Sequence, residues 1–70
     1  MADYRCFHAD DRAERAETMR GMGSREEAAT TFALRNGGVP AYVVVEDLRG
    51  SRSSVSVSKR VMGGYDAFVT

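Results

Sequence analysis

Between Ser24 and Gly38 the chain reads SREEAATTFALRNGG, and this passage constrains the fold more than any other. Ser24 precedes Glu27 by three positions, the spacing of a capping box in which serine and glutamate side chains satisfy the free N–H groups of a first helical turn. The passage closes on Asn36-Gly37-Gly38, where the chain can turn left-handed and stop the helix. The spacing predicts a helix from about Arg25 to about Asn36. At 100° per residue, Ala28, Ala29, Phe32 and Ala33 fall within one apolar stripe. Alanines on that stripe let a helix sit close to a sheet, with Phe32 as the anchor. Leu34 points nearly opposite and is a candidate contact residue on the outer side.

The segments around the helix read as short strands. In Asp3–Ala9, Tyr4, Cys6 and His8 share one face and Arg5, Phe7 and Ala9 the other. Both faces carry apolar groups, which places this strand inside a sheet. Ala13–Met22 fits a helix or a strand. The need for a hairpin partner favours the strand, with Thr18, Arg20 and Met22 on one side. Tyr42–Glu46 is β-branched and continuous, the pattern of a central strand. Asp47 and Gly50 take the first and fourth positions of a type I turn. Ser53–Met62 is the returning strand, with Val55 and Val57 on one face, Ser54, Ser56 and Ser58 on the other, and a bulge near Lys59-Arg60-Val61. Gly63-Gly64 turns into a last short strand at Tyr65–Val69. The expected fold is α+β: an antiparallel sheet of four to five strands, ordered β-β-α-β-β along the chain, with one helix on one face.

Seventy residues allow one domain and one small core. With no Trp, no Ile and two Leu, that core must be built from eight Val, three Phe, three Tyr and four Met. A core of this size supports only marginal stability, so help from a partner or a second copy is expected. The single Cys6 has no partner for an internal disulfide, as fits a reducing cytoplasm. No apolar run reaches the roughly 20 residues of a membrane span. The N-terminus is acidic where a signal peptide is basic and then apolar, so a cytoplasmic protein is expected.

Ten acidic and ten basic residues cancel over the whole chain, but not within its parts. Residues 1–48 hold nine acids and six arginines, for −3, and residues 49–70 hold four bases and one acid, for +3. The basic segment places Arg49, Arg52, Lys59 and Arg60 among five serines around a turn and strand, with Glu46 just before it. Arginine and serine together suit phosphate contacts, and the same surface suits an acidic protein patch. Base stacking needs interleaved aromatics, and only Tyr65 is near. Nucleic acid is therefore a possible partner and protein the favoured one.

Cys6 and His8, two apart on one strand face, are the raw material of a cysteine nucleophile. They read better as a packed cysteine and a satisfied histidine, and short loops leave little room for a substrate cleft. With no second Cys or His, the pair falls two ligands short of a tetrahedral metal site. The acidic pairs Asp10-Asp11, Glu26-Glu27 and Glu46-Asp47 each split between faces, and the glycine pairs lack the Lys-Ser or Lys-Thr of a phosphate loop. The reading is a non-enzymatic protein without cofactor or metal.

The order strand, Thr18-Met19 strand, Ser-x-x-Glu-Ala helix and paired hairpin, carried by Ser24, Glu27, Ala28 and Ala33, resembles some small phage-encoded anti-CRISPR proteins. The resemblance runs from Tyr4 to about Val61. It implies an inhibitor that docks on a Cas subunit of a bacterial CRISPR surveillance complex in the host cytoplasm and blocks DNA access. Arg49, Arg52, Lys59, Arg60, Glu46 and Leu34 are the expected partner-binding residues. An open sheet also leaves edges that a second copy can pair with.

Overall fold

The computed structural model describes residues 1–70. Helix α1 spans Arg25–Arg35, capped as its sequence demands. The Glu27 N–H donates to Ser24 Oγ at 3.1 Å, and the Gly23 N–H donates to the Glu27 carboxylate. At the far end Gly37 and Gly38 have φ of 105° and 83°, and the Gly38 N–H donates to the Ala33 carbonyl at 2.7 Å. The Ser24 and Gly38 bonds satisfy helix-terminal groups that would otherwise be orphaned, while Glu27 reaches one residue past the N-cap and holds the incoming chain at Gly23.

Five strands form one antiparallel sheet: β1 (Ala2–His8), β2 (Glu17–Met22), β3 (Ala41–Glu46), β4 (Arg52–Lys59) and β5 (Tyr65–Val69). Their spatial order is β2-β1-β3-β4-β5, so β1 is interior and β3 central. Helix α1 covers one face. Ala28, Ala29, Phe32 and Ala33 meet Cys6, Met19, Val43, Val45, Val55 and Val57 in one buried cluster. Small alanines on the helix bring it close to the valines of the sheet, and Phe32 and Met19 supply the bulk.

Two segments depart from the sequence-based expectation. Ala13–Arg15 forms a 3-10 turn, and the strand begins only at Glu17. Within β2, the register moves from Tyr4↔Met19 to Ala2↔Met22, so Arg20 and Gly21 together oppose Asp3. Gly21 takes φ of 68°, and its N–H donates to Asp3 Oδ1 at 2.9 Å. This bulge slips the side-chain parity by one. Met22 therefore joins Met19 on the core side, not Thr18 and Arg20 on the outer side. The second departure is the end of β4 at Lys59. The Arg60 N–H donates to the Gly64 carbonyl at 3.0 Å, closing a turn where a bulged strand was expected. Val61 and Met62, at that turn's tip, are exposed.

Candidate functional site

The helix covers one face of the sheet; on the other, the 3-10 turn at Ala13–Arg15 reaches in at one end, its Ala13 carbonyl accepting from Arg5 Nη2 at 3.3 Å, and the rest lies open. Strand alternation assigns the open face. Because Cys6, Val43, Val45, Val55 and Val57 point into the core, their neighbours Arg5, Phe7, Tyr42, Val44, Glu46, Arg52, Ser54 and Ser56 point away from it. The registers arrange these side chains in three rows across the strands. Arg5, Glu46 and Arg52 form the first, Phe7, Val44 and Ser54 the second, and Tyr42, Ser56 and Phe68 the third.

The first row is an ion triad. Arg5 Nη1 donates to Glu46 Oε1 and Arg52 Nε to Glu46 Oε2, each at 2.9 Å. The hydrogen bond from Arg52, with the positive charge of both arginines, holds the Glu46 carboxyl below its ordinary range. Arg52 also lies over the Phe7 ring, 5.6 Å from its centroid, a cation–π contact. Phe7 is buried on this face.

The third row is the reverse. Tyr42 and Phe68 are 67% and 62% exposed, with only Ser56 between them. Two strand spacings place their backbones roughly 10 Å apart. Two large exposed aromatics on one sheet face are the kind of group that anchors a ligand or partner.

The sequence-predicted residues are dispersed. Arg52 and Glu46 stand together on the open face. Arg49 lies in the β3–β4 turn, where its N–H donates to Asp47 Oδ1 at 2.9 Å. Lys59 ends β4, roughly 24 Å along the strand from Arg52 at the usual rise per residue. Arg60 is tied to Asp66 at 2.6 Å in the β4–β5 turn. Leu34 is exposed on α1, on the far side of the sheet from Arg52. The four bases thus form two separate pairs, one at each end of the hairpin. Arg5, Phe7, Tyr42 and Phe68 were not among the expected contact residues. The signal that marks Tyr42 is its parity with Val44 and Glu46, hidden inside a run that reads as uniformly apolar.

No protein-family model, no curated protein and no solved structure matches this chain.

The remaining chemistry-bearing pair is disarmed. Cys6 is fully buried, and burial pushes its thiol up to about 11, with the negative charge of Glu17 acting in the same direction. A nucleophilic cysteine requires the opposite shift. His8 Nε2 donates to the Asn36 carbonyl at 2.7 Å, and its ring packs on Phe32 with centroids 5.0 Å apart. The histidine therefore fastens the end of α1 to β1. A shallow cavity of about 450 Å³ beside it is lined in part by Asp10, Asn36, Gly38 and Tyr42. No helix is long and apolar enough to cross a membrane.

Proposed function

We propose that this chain is a non-enzymatic protein-binding module that acts by occupying a site on a larger partner, with the open sheet face as its contact surface. The observation that carries the reading is the pair of exposed aromatics, Tyr42 and Phe68, on the same face as the Arg5–Glu46–Arg52 triad and separated from it by one row. Tyrosine, phenylalanine and arginine are the residues in which binding energy concentrates at protein interfaces. The charge pattern supports protein over nucleic acid. Glu46 already engages two of the face's arginines, whereas a surface that follows a phosphate backbone leaves its cations free.

The partner proposed is a Cas subunit of a bacterial CRISPR surveillance complex, blocked from engaging DNA; it rests on the element-order resemblance. Tagged protein is expected to retain such a complex in at least one subtype. Tyr42→Ala should weaken retention by roughly thirtyfold, the factor for an interface anchor worth about 2 kcal/mol. No retained complex in any subtype removes the partner. Retention indifferent to Tyr42→Ala removes the surface.

A second reading has one observation in its favour: exposed aromatic rings on an antiparallel sheet also serve as stacking platforms for single-stranded bases. It predicts a mobility shift with single-stranded oligonucleotides at low salt that weakens in Tyr42→Ala and fades as salt rises.

A further inference from the structure

The sheet ends in two edge strands that differ in kind. β2 carries features that obstruct strand addition: the two-for-one bulge at Arg20-Gly21, the left-handed Gly21, and the charges of Glu17 and Arg20. β5 has neither a bulge nor a left-handed residue, and its one charge, Asp66, is paired with Arg60. Its register with β4 is continuous, and Tyr65–Val69 contains no proline, no lysine and no residue of positive φ. Tyr65, Phe68 and Val69 are all exposed. An open apolar edge of this sort is a template for another strand.

The hydrogen-bond phase of β5 is set by its neighbours. The Thr70 N–H donates to the Ser54 carbonyl at 2.8 Å and the Arg60 N–H to the Gly64 carbonyl at 3.0 Å. Antiparallel ladders alternate, so Asp66 and Phe68 also face β4. The N–H and C=O groups of Tyr65, Ala67 and Val69 point outward to the free edge.

We infer that this edge is a self-association surface: two copies pair β5 against β5, antiparallel about a two-fold axis at Ala67, and join their sheets into one. The odd residues make this register self-complementary. Ala67 bonds reciprocally to Ala67 of the second copy, and Tyr65 pairs with the second copy's Val69 in both directions. All six outward backbone groups of each chain are then satisfied, whereas a shift by two residues in either direction leaves some unpaired. The side chains agree. Tyr65 meets Val69, a favourable aromatic–aliphatic pair, and the small Ala67 sits on the axis. Asp66 lies opposite the second copy's Phe68, so no like charges face each other. Arg60, held on Asp66, is brought beside that ring. Apart from the Asp66–Arg60 pair the strand is uncharged, which leaves nothing to select a foreign strand by charge. A local dyad normal to the sheet keeps both helices on one side and merges the two open faces.

The test is self-association of the intact chain, measured by light scattering and amide hydrogen exchange from micromolar to millimolar concentration. A dimer is expected. The amides of Tyr65, Ala67 and Val69 should exchange roughly tenfold more slowly where dimer outnumbers monomer by about ten to one. Those of Asp66 and Phe68, already bonded to β4, should not change. Ala67→Pro removes only an outward N–H and spares the β4 ladder, as edge prolines do. Val69→Lys places a charge against Tyr65 of the second copy. Both are expected to stay monomeric with an unchanged circular dichroism spectrum. A monomer at every concentration, concentration-dependent protection on β2 instead of β5, or a dimer that survives both substitutions overturns the inference. Tyr42→Ala leaves this edge untouched, so failure here and failure of the partner reading are read separately.

Discussion

Arg25 offers the sharpest test of how so small a core is held together. It opens α1, yet its side chain reaches across to the β3–β4 connection. Nη1 donates to the Val45 carbonyl at 2.9 Å and the Ser51 carbonyl at 3.2 Å, and Nη2 to Asp47 Oδ2 at 2.8 Å. The guanidinium also lies 5.5 Å from the Tyr4 ring centroid. One side chain thus ties the helix start to β1, β3 and the turn. Arg25→Met keeps the aliphatic stem and deletes every donor. A hydrogen bond from a charged donor contributes about 1.5 kcal/mol at the low end of its range, a fitting choice because the side chain is 21% exposed. Two carbonyl bonds give roughly 3 kcal/mol; the partly exposed Asp47 pair adds little. Against this, removing a cation from a helix N-terminus returns roughly 0.5–1 kcal/mol. The net loss is about 2 kcal/mol from a domain expected to hold roughly 3.5–10 kcal/mol in all. For a chain of this size the melting temperature should fall by about 8–16 °C. Arg25→Lys, which keeps a point charge near Asp47 but not the fork, should lie between. Thermal melts and urea titrations followed by circular dichroism measure both. A loss under about 2 °C in Arg25→Met, with an unchanged urea midpoint, would refute the reasoning.

Three further outcomes are expected. Phe32 is the largest helical residue in the core and packs on His8, so Phe32→Ala should cost about 3–5 kcal/mol and lower the melting temperature by more than Arg25→Met does, visible in thermal melts followed by circular dichroism. The raised Cys6 thiol favours the neutral folded form, so its contribution is complete below the ordinary value of 9.0 and is lost as pH rises from there towards about 11; urea midpoints should fall across that window, and less so in Cys6→Ala relative to its own neutral-pH value. Glu46 and Asp47 shift the other way. Arginine bonds and charges lower Glu46, while Asp47 is lowered by the N–H groups of Ser51 and Arg49 and then by the charge of Arg25. Both stabilise when ionised, so stability should be full above ordinary carboxylate values and decline as pH falls below about 4; Glu46→Gln should flatten part of that decline in acid titrations of the urea midpoint.

The helix was legible from sequence because its determinants are local. Ser24, Glu27 and Gly38 act within four or five residues of the groups they satisfy, and the Ala28–Phe32–Ala33 stripe follows from helical period alone. Val43, Val45, Val55 and Val57 were legible for the same reason, since strand alternation sets their common face. Parity failed in two places. The Asp3–Gly21 bond, across 18 residues of sequence, accompanies the bulge that turns Met22 inward. The Arg60–Gly64 turn closes β4 early through a local bond that strand alternation does not describe.

The open face was legible only in fragments. Composition marked Arg49, Arg52, Lys59 and Arg60 as one basic segment, because proximity along a chain looks like proximity in space. An extended strand instead carries Lys59 and Arg60 far from Arg49 and Arg52, and tertiary contacts give Arg52 and Arg60 acidic partners. Strand order then decided the rest. With β1 placed beside β3, Arg5 reaches Glu46 across 41 residues of sequence and Phe7 comes beneath Arg52. With β5 placed outermost, Phe68 completes a row with Tyr42, and a strand whose one charge is already paired becomes an edge. The sequence by itself determined most of the residues that face the core, Met22 excepted, through capping and periodicity that act over a few residues. Which core-averse residues meet one another, and which strand is left without a neighbour, depend on pairings between distant segments, and only the tertiary structure decided them.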